Sequence, residues 1–209
     1  GENSSVEELK KIIPAENELI FSIDEIAGCD LLIDLSAAAD DDEQKIYLSE
    51  NKFVVVCAVK KTLREMSEGN NMRMVGMNLL PTFIAREKKE MIFLNDDDEN
   101  DFRKIAEQLQ WNILKVEDKV GMVTPRVIAQ IINEACFSLE KNVATIADID
   151  KGMKLGTAYP LGPFEWANKI GIKNVYEILL ALLNDTGDKR FEICPLLKSQ
   201  AEKNLPFPL

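Results

Sequence analysis

Phe53-Val54-Val55-Val56-Cys57-Ala58-Val59 is the stretch on which the fold turns. Seven apolar residues follow one another, rich in β-branched side chains, with no polar position on either face. A strand with one wet face alternates apolar and polar residues, whereas a strand covered by helices on both faces does not. The stretch therefore predicts a central strand of a parallel sheet. Working outward, residues 19–23, 31–35, 72–80, 91–94 and 111–116 read as further strands. Helical spacing lies between them, at residues 6–13, 41–48, 62–66 and 99–110. Alternation of this kind predicts an α/β domain.

Beyond Asp118 the strand pattern stops. Thr124-Pro125 reads as a helix start, with Thr124 as N-cap and Pro125 at the first helical position. Val127, Ile128, Ile131, Ile132, Ala135 and Leu139 then recur at helical spacing. Thr145 and Asp148 open a second helix, with Gly156 after its expected end. Gly162-Pro163 opens a third, which Gly171 closes. Residues 174–183 are densely apolar and read as a core helix. The expectation is two domains, residues 1–118 and 119–209, with no flexible linker between them.

The chain has 209 residues, a net charge of −11 and no histidine. Without imidazole there is no Ser-His-Asp triad, no Cys-His pair and no histidine proton shuttle. Residues 1–118 carry 14 basic and 26 acidic side chains, and residues 119–209 carry 11 and 10. Nucleic acid and anionic membranes are bound by clustered cations, so neither is an expected partner. Cys29, Cys57, Cys136 and Cys194 form no CxxC pair and read as free thiols of a reducing cytoplasm. No apolar run is long enough to span a bilayer, and no secretory leader is visible, although Gly1 does not follow a Met.

Two local patterns invite a ligand. Asp96, Asp98, Asn100 and Glu107 stand at calcium-loop spacing, but Asp101 occupies the position that needs glycine. Acids opening a helix are the better reading, and no metal is expected. A G-x-G-x-x-G turn, which would admit a dinucleotide pyrophosphate to a helix N-terminus, is absent. Gly1 to Ser5 are read as an irregular start with Ser4 or Ser5 capping the first helix.

The stretch Tyr159-Pro160-Leu161-Gly162-Pro163-Phe164-Glu165-Trp166-Ala167-Asn168-Lys169-Ile170-Gly171-Ile172 resembles a signature of the 3-hydroxyacyl-CoA dehydrogenases, H-P-x-G-P-x-E-L-x-D-x-x-G-L. Ala147 to Gly156, Arg126 and Ile131 to Ala135 extend the resemblance backward. Asp30-Leu31-Leu32-Ile33-Asp34 is similar to the family's A-D-L-V-I-E strand, with Asp34 as a weak cofactor-side position. Val75-Gly76-Met77-Asn78-Leu79-Leu80 is similar to G-M-H-F-F-N-P. The resemblance implies a reduced Rossmann-like parallel-sheet domain followed by a helical domain of the 6-phosphogluconate-dehydrogenase C-terminal type.

In that family a histidine removes the hydroxyl proton while hydride leaves for NAD, and a glutamate orients it. The resemblance puts the histidine position at Asn78 and the glutamate position at Glu90. An asparagine amide has no useful pKa near neutrality. The family's substrate serine is replaced by the apolar stretch at Cys57, and its substrate asparagine by Pro125. Asn168 stands for the signature's Asp, and Tyr159 for its His. The 29 residues before Asp30 are too few for the family's strand–helix–strand cofactor half.

Two functions follow from the resemblance. One is a catalytically degenerate relative without a cofactor, a homodimer formed through the helical domain that serves as a binding or scaffold protein. It would keep a cleft for an acyl-CoA-like ligand lined by Met77, Phe83 and Met122. The other is an active NAD-dependent oxidoreductase of fatty-acid metabolism, with its cofactor half supplied from elsewhere and Glu90 acting as base.

Overall fold

The computed structural model describes residues 2–21, 29–35, 52–69 and 72–209, which fall into two compact units, Glu2–Met122 and Val123–Leu209. In the first, β1 (Leu31–Ile33), β2 (Phe53–Cys57), β3 (Arg73–Met77), β4 (Lys88–Ile92) and β5 (Asn112–Lys115) form one sheet in that order. Strands β1, β2 and β3 run parallel, β4 runs antiparallel to β3, and β5 parallel to β4. All five residues of β2 are buried, as an uninterrupted apolar run requires.

Register sorts the side chains onto two faces. Phe53, Val55 and Cys57 are paired with Arg73, Val75 and Met77. This face packs on α3 (Asp96–Gln108), where the Phe102 ring meets Phe53 edge-on at 5.3 Å and Phe93 at 5.9 Å. The Arg73 guanidinium stacks over Phe53, 4.1 Å from the ring centroid. It then reaches Asp98 at 2.7 Å and Asp101 at 2.8 Å, tying β3 to the start of α3. Four acids fill the first turn of α3 and Asn95 caps it, which suits the positive end of a helix. Asp96, Asp98, Asn100, Asp101 and Glu107 thus lie along one continuous helix, and the calcium-loop spacing has no loop to occupy.

The shorter helices are held by side chains distant in sequence. The Trp111 indole donates to the Ile12 carbonyl at 3.0 Å, just beyond α1 (Glu2–Lys10). The Asp118 carboxylate accepts from the Leu63 amide at 2.7 Å and the Arg64 amide at 2.9 Å, at the start of α2 (Leu63–Ser67). A Thr62–Glu65 capping box satisfies further donors of that first turn.

Several expectations shift. Residues 19–21 form no strand, residues 22–23 lie outside the described residues, and so does the helix expected at 41–48. Ser4 and Ser5 lie inside α1, with Ser5 buried, rather than capping it. Strand β4 begins at Lys88, before the apolar Met91. Its polar start is held because β5 pairs with it from Lys88 onward.

The second unit is helical: α4 (Thr124–Glu140), α5 (Ile146–Thr157), α6 (Pro163–Ile170), α7 (Ile172–Thr186), a 3-10 turn (Lys189–Phe191) and α8 (Pro195–Lys203). Helix α4 packs against α6, α7 and α8, burying Ile128, Ile132, Ala135 and Cys136 at helical spacing. Thr124 is already the first helical residue; Val123 precedes it and makes no side-chain cap. Thr145 caps α5 as expected, accepting from the Asp148 amide. That helix passes Gly156 and ends at Ala158, whose φ of 55° supplies the left-handed stop.

Three polar side chains fasten this unit. The buried Asp150 carboxylate accepts from the Phe164 amide at 2.8 Å and the Glu165 amide at 3.1 Å, capping α6 from α5. Asn133 donates to the Glu192 carbonyl at 2.8 Å and accepts from the Cys194 amide at 2.9 Å. Asn168 donates to the Phe207 carbonyl and accepts from the Phe207 amide, each at 2.8 Å. An aspartate at 168 would lose the donor and face a carbonyl oxygen, which explains why an amide suits this chain where the signature carries an acid.

A Cβ on Gly162 would come within 2.2 Å of Asp150 Cγ, because the carboxylate lies against the bare glycine. Gly162→Ala is expected to cost about 1–3 kcal/mol in denaturant titration, the range for overpacking. Gly152→Ala, with nothing within 4 Å of the new methyl, is expected to raise helix stability by about 0.5–1 kcal/mol. Asn168→Asp is expected to destabilise by about 1–3 kcal/mol.

Candidate functional site

The chain reverses between β3 and β4, and the register there is Gly76 opposite Ile92 and Met77 opposite Met91. The ladder ends at Met77–Met91, with Asn78 just beyond β3 and Glu90 paired on its other side with Leu114 of β5. Extended by one residue, the same register would set Asn78 opposite Glu90, on the face carrying Gly76 and Ile92. Backbone packing on that face is close: a Cβ on Gly76 would come within 2.8 Å of the Ala58 Cβ and 3.1 Å of the Ile92 Cβ. Glycine at 76 lets the strands approach at the floor of this site.

Asn78 is buried, at 5% exposure, and its side chain is committed to its own turn. The Leu80 amide donates to Asn78 Oδ1 at 3.2 Å, an Asx-type bond that shapes the exit from β3. The following turn is held by α1. Glu8 accepts from the Thr82 amide at 2.7 Å and from the Ala85 amide at 3.4 Å. Thr82 sits at φ 76°, rare for a β-branched residue, and its buried hydroxyl has no hydrogen-bond partner. Nothing near residue 82 in sequence announces Glu8, which lies 74 residues upstream.

The other expected positions fall on different elements. Cys57 pairs with Met77, so strand alternation places it on the opposite face, toward α3. Its thiol is buried, and desolvation pushes its pKa up despite the Leu79 backbone hydrogen bond. A neutral, enclosed thiol is a poor replacement for a substrate-facing hydroxyl. Asp34 follows the end of β1, where its amide donates to the Val55 carbonyl at 2.9 Å. Pro125 lies in the helical unit, at the start of α4. Met77, Phe83 and Met122 are core residues, each at most 4% exposed, and do not line an open surface.

The described residues do not fit a dinucleotide cradle. The turn from β2 to α2, Ala58 to Thr62, contains no glycine, and no G-x-G occurs anywhere in the 209 residues. The turn from β4 to α3, Phe93 to Asn95, has none either, so side chains line both of these strand-to-helix turns, where a pyrophosphate needs bare backbone amides. Among the described residues no group of three His, Cys, Asp or Glu could hold a metal ion, and no helix is long and apolar enough to cross a membrane.

Comparison with known proteins agrees with this architecture. Residues 121–206 match the family model of the 3-hydroxyacyl-CoA dehydrogenase C-terminal domain. A 3-hydroxybutyryl-CoA dehydrogenase of Bradyrhizobium diazoefficiens is 26% identical over 212 residues, covering 96% of this chain and 71% of that protein. A probable 3-hydroxybutyryl-CoA dehydrogenase of Bacillus subtilis is 32% identical over 129 residues, 60% of this chain and 45% of that protein. The crystal structure of (S)-3-hydroxybutyryl-CoA dehydrogenase from Ralstonia eutropha shares the fold, with a TM-score of 0.72 at 23% identity over 87% of this chain and 68% of that one. Residues 121–206 belong to the 3-hydroxyacyl-CoA dehydrogenase C-terminal domain family.

Asn78→Ala would strand the buried Leu80 amide. It is expected to lower unfolding free energy by about 1–3 kcal/mol, the cost of an unsatisfied buried donor, measured by urea titration.

Proposed function

We propose that this protein is a family member that binds a CoA-thioester-like acyl ligand without performing the family's dehydrogenation, and that it acts as a homodimeric binding or scaffold protein. The observation that carries the reading is the Asn78–Glu90 pair. Continuing the Met77–Met91 pairing by one residue brings Asn78 and Glu90 together at the strand reversal, and this supports the reading: the Asn78 amide oxygen is already bonded to the Leu80 amide. An amide neither takes a proton near neutrality nor passes one on. With no histidine in the chain, no other imidazole can stand in. Cys57, enclosed and protonated, offers no substitute on the substrate side.

The helical unit supports the homodimer. It exposes Val123, Val127, Val143 and Leu155, each at least half accessible. Val123 and Val127 stand one helical turn apart at the start of α4, and burial against a second copy would cover them together.

Titration of the protein with acetoacetyl-CoA, and with acetoacetyl-CoA plus NADH, tests the reading. Saturable thioester binding is expected, with no change at the nicotinamide absorbance band. Turnover would establish the alternative, an NAD-dependent oxidoreductase using Glu90 as base. Absence of thioester binding would overturn both. Sedimentation equilibrium is expected to give twice the chain mass.

A further inference from the structure

The chain is acidic overall, yet one recess of the sheet unit gathers unpaired cations. A cavity of about 390 Å3 lies between the end of α1, the turn before β4 and the turn before β5. Lys11, Arg86 and Lys89 all line it, together with Gln110 and Asn112. Among the described residues, none of the three cations has a carboxylate within ion-pair distance. Several other cations of this unit are paired: Arg73 with Asp98 and Asp101, Arg103 and Lys115 with Glu99.

Lys89 is the least expected of them. It stands in mid-strand, at 5% exposure, and its ammonium donates to the Arg86 carbonyl. That bond leaves further N–H donors of the ammonium for a ligand. Burial pulls its pKa down, so an unpaired charge here is costly, and a bound anion would relieve that cost. The Arg86 guanidinium stacks on Phe83, 4.7 Å from the ring centroid, which orients its donor fork. Two acids belong to the surroundings: Glu87 lines the recess and is exposed, and Glu90 acts on Arg86 through space. The balance within the lining remains positive.

We infer that this recess is a binding site for a phosphate-bearing ligand, held by Lys89 and Arg86 with Lys11 at the rim. A planar guanidinium and two ammonium groups suit the several oxygens of a phosphate or pyrophosphate. The size falls within the range of small-ligand sites. The inference is independent of the acyl-ligand reading, because it concerns the sheet unit alone and is tested without a thioester.

Isothermal titration with pyrophosphate, at constant ionic strength set by sodium chloride, provides the test. One site per chain is expected, with affinity falling at least tenfold in Lys89→Met and in Arg86→Gln. Circular dichroism of both variants checks that the fold is retained, and Lys198→Met, on α8, serves as a control that leaves binding unchanged. A parallel titration with coenzyme A separates two sources of the same chemistry. Competition with pyrophosphate would identify a nucleotide's phosphates; pyrophosphate binding without competition would identify a free phosphate compound. Absence of saturable pyrophosphate binding, or equal binding by the wild type and both variants, would overturn the inference.

Discussion

Met77 lies across from Met91, and Gly76 across from Ile92. This short antiparallel pairing is the constraint on which the candidate site depends. It joins two parallel ladders, β1–β2–β3 and β4–β5, into one sheet, and it fixes which residues of the reversing segment share a face. A slip of one residue would turn Glu90 toward α3 and put Lys89 opposite Asn78. The register is held by packing rather than by many hydrogen bonds. Gly76 admits Ala58 and Ile92 at close range, and Met77 and Met91 are buried on the other face.

The same alternation separates two chemistries along five residues of β4. Glu90 belongs to the face of Asn78, where the family resemblance places catalysis. Lys89 belongs to the opposite face and ends in the cationic recess. The segment between the strands serves both: Asn78 shapes its beginning, Glu8 holds its middle, and Arg86 near its end lends a carbonyl to Lys89. The scaffold around Asn78 thus rests on backbone register and on the Glu8 carboxylate from α1.

Much of the fold was legible in local sequence. Residues 53–57, 31–33, 73–77 and 112–115 are strands within stretches read as strands, since apolar β-branched runs have few other stable destinations. The helix starts at Thr145 and Gly162-Pro163 were legible because capping is chemistry between neighbours. Strand β4 was read three residues late: its first three residues are Lys, Lys and Glu, and pairing with β5 makes them extended. Helix α5 outran Gly156 because that glycine meets no neighbouring atom and simply continues the helix in solvent. Of the candidate site, Asn78 and Glu90 were found by motif, whereas Lys11, Arg86 and Lys89 carry no motif and are 78 positions apart at the extremes.

The sequence by itself determined that these 209 residues carry no imidazole, that an α/β half precedes a helical one, and which family the chain resembles. These are matters of residue type and spacing, which need no neighbours beyond a turn or two. Only the tertiary structure decided that Cys57 turns away from Asn78, that Asn168 binds both backbone groups of Phe207, and that a buried lysine meets an unpaired arginine. Each depends on register and on contacts between distant segments, where the position of one side chain is set by the backbone of another.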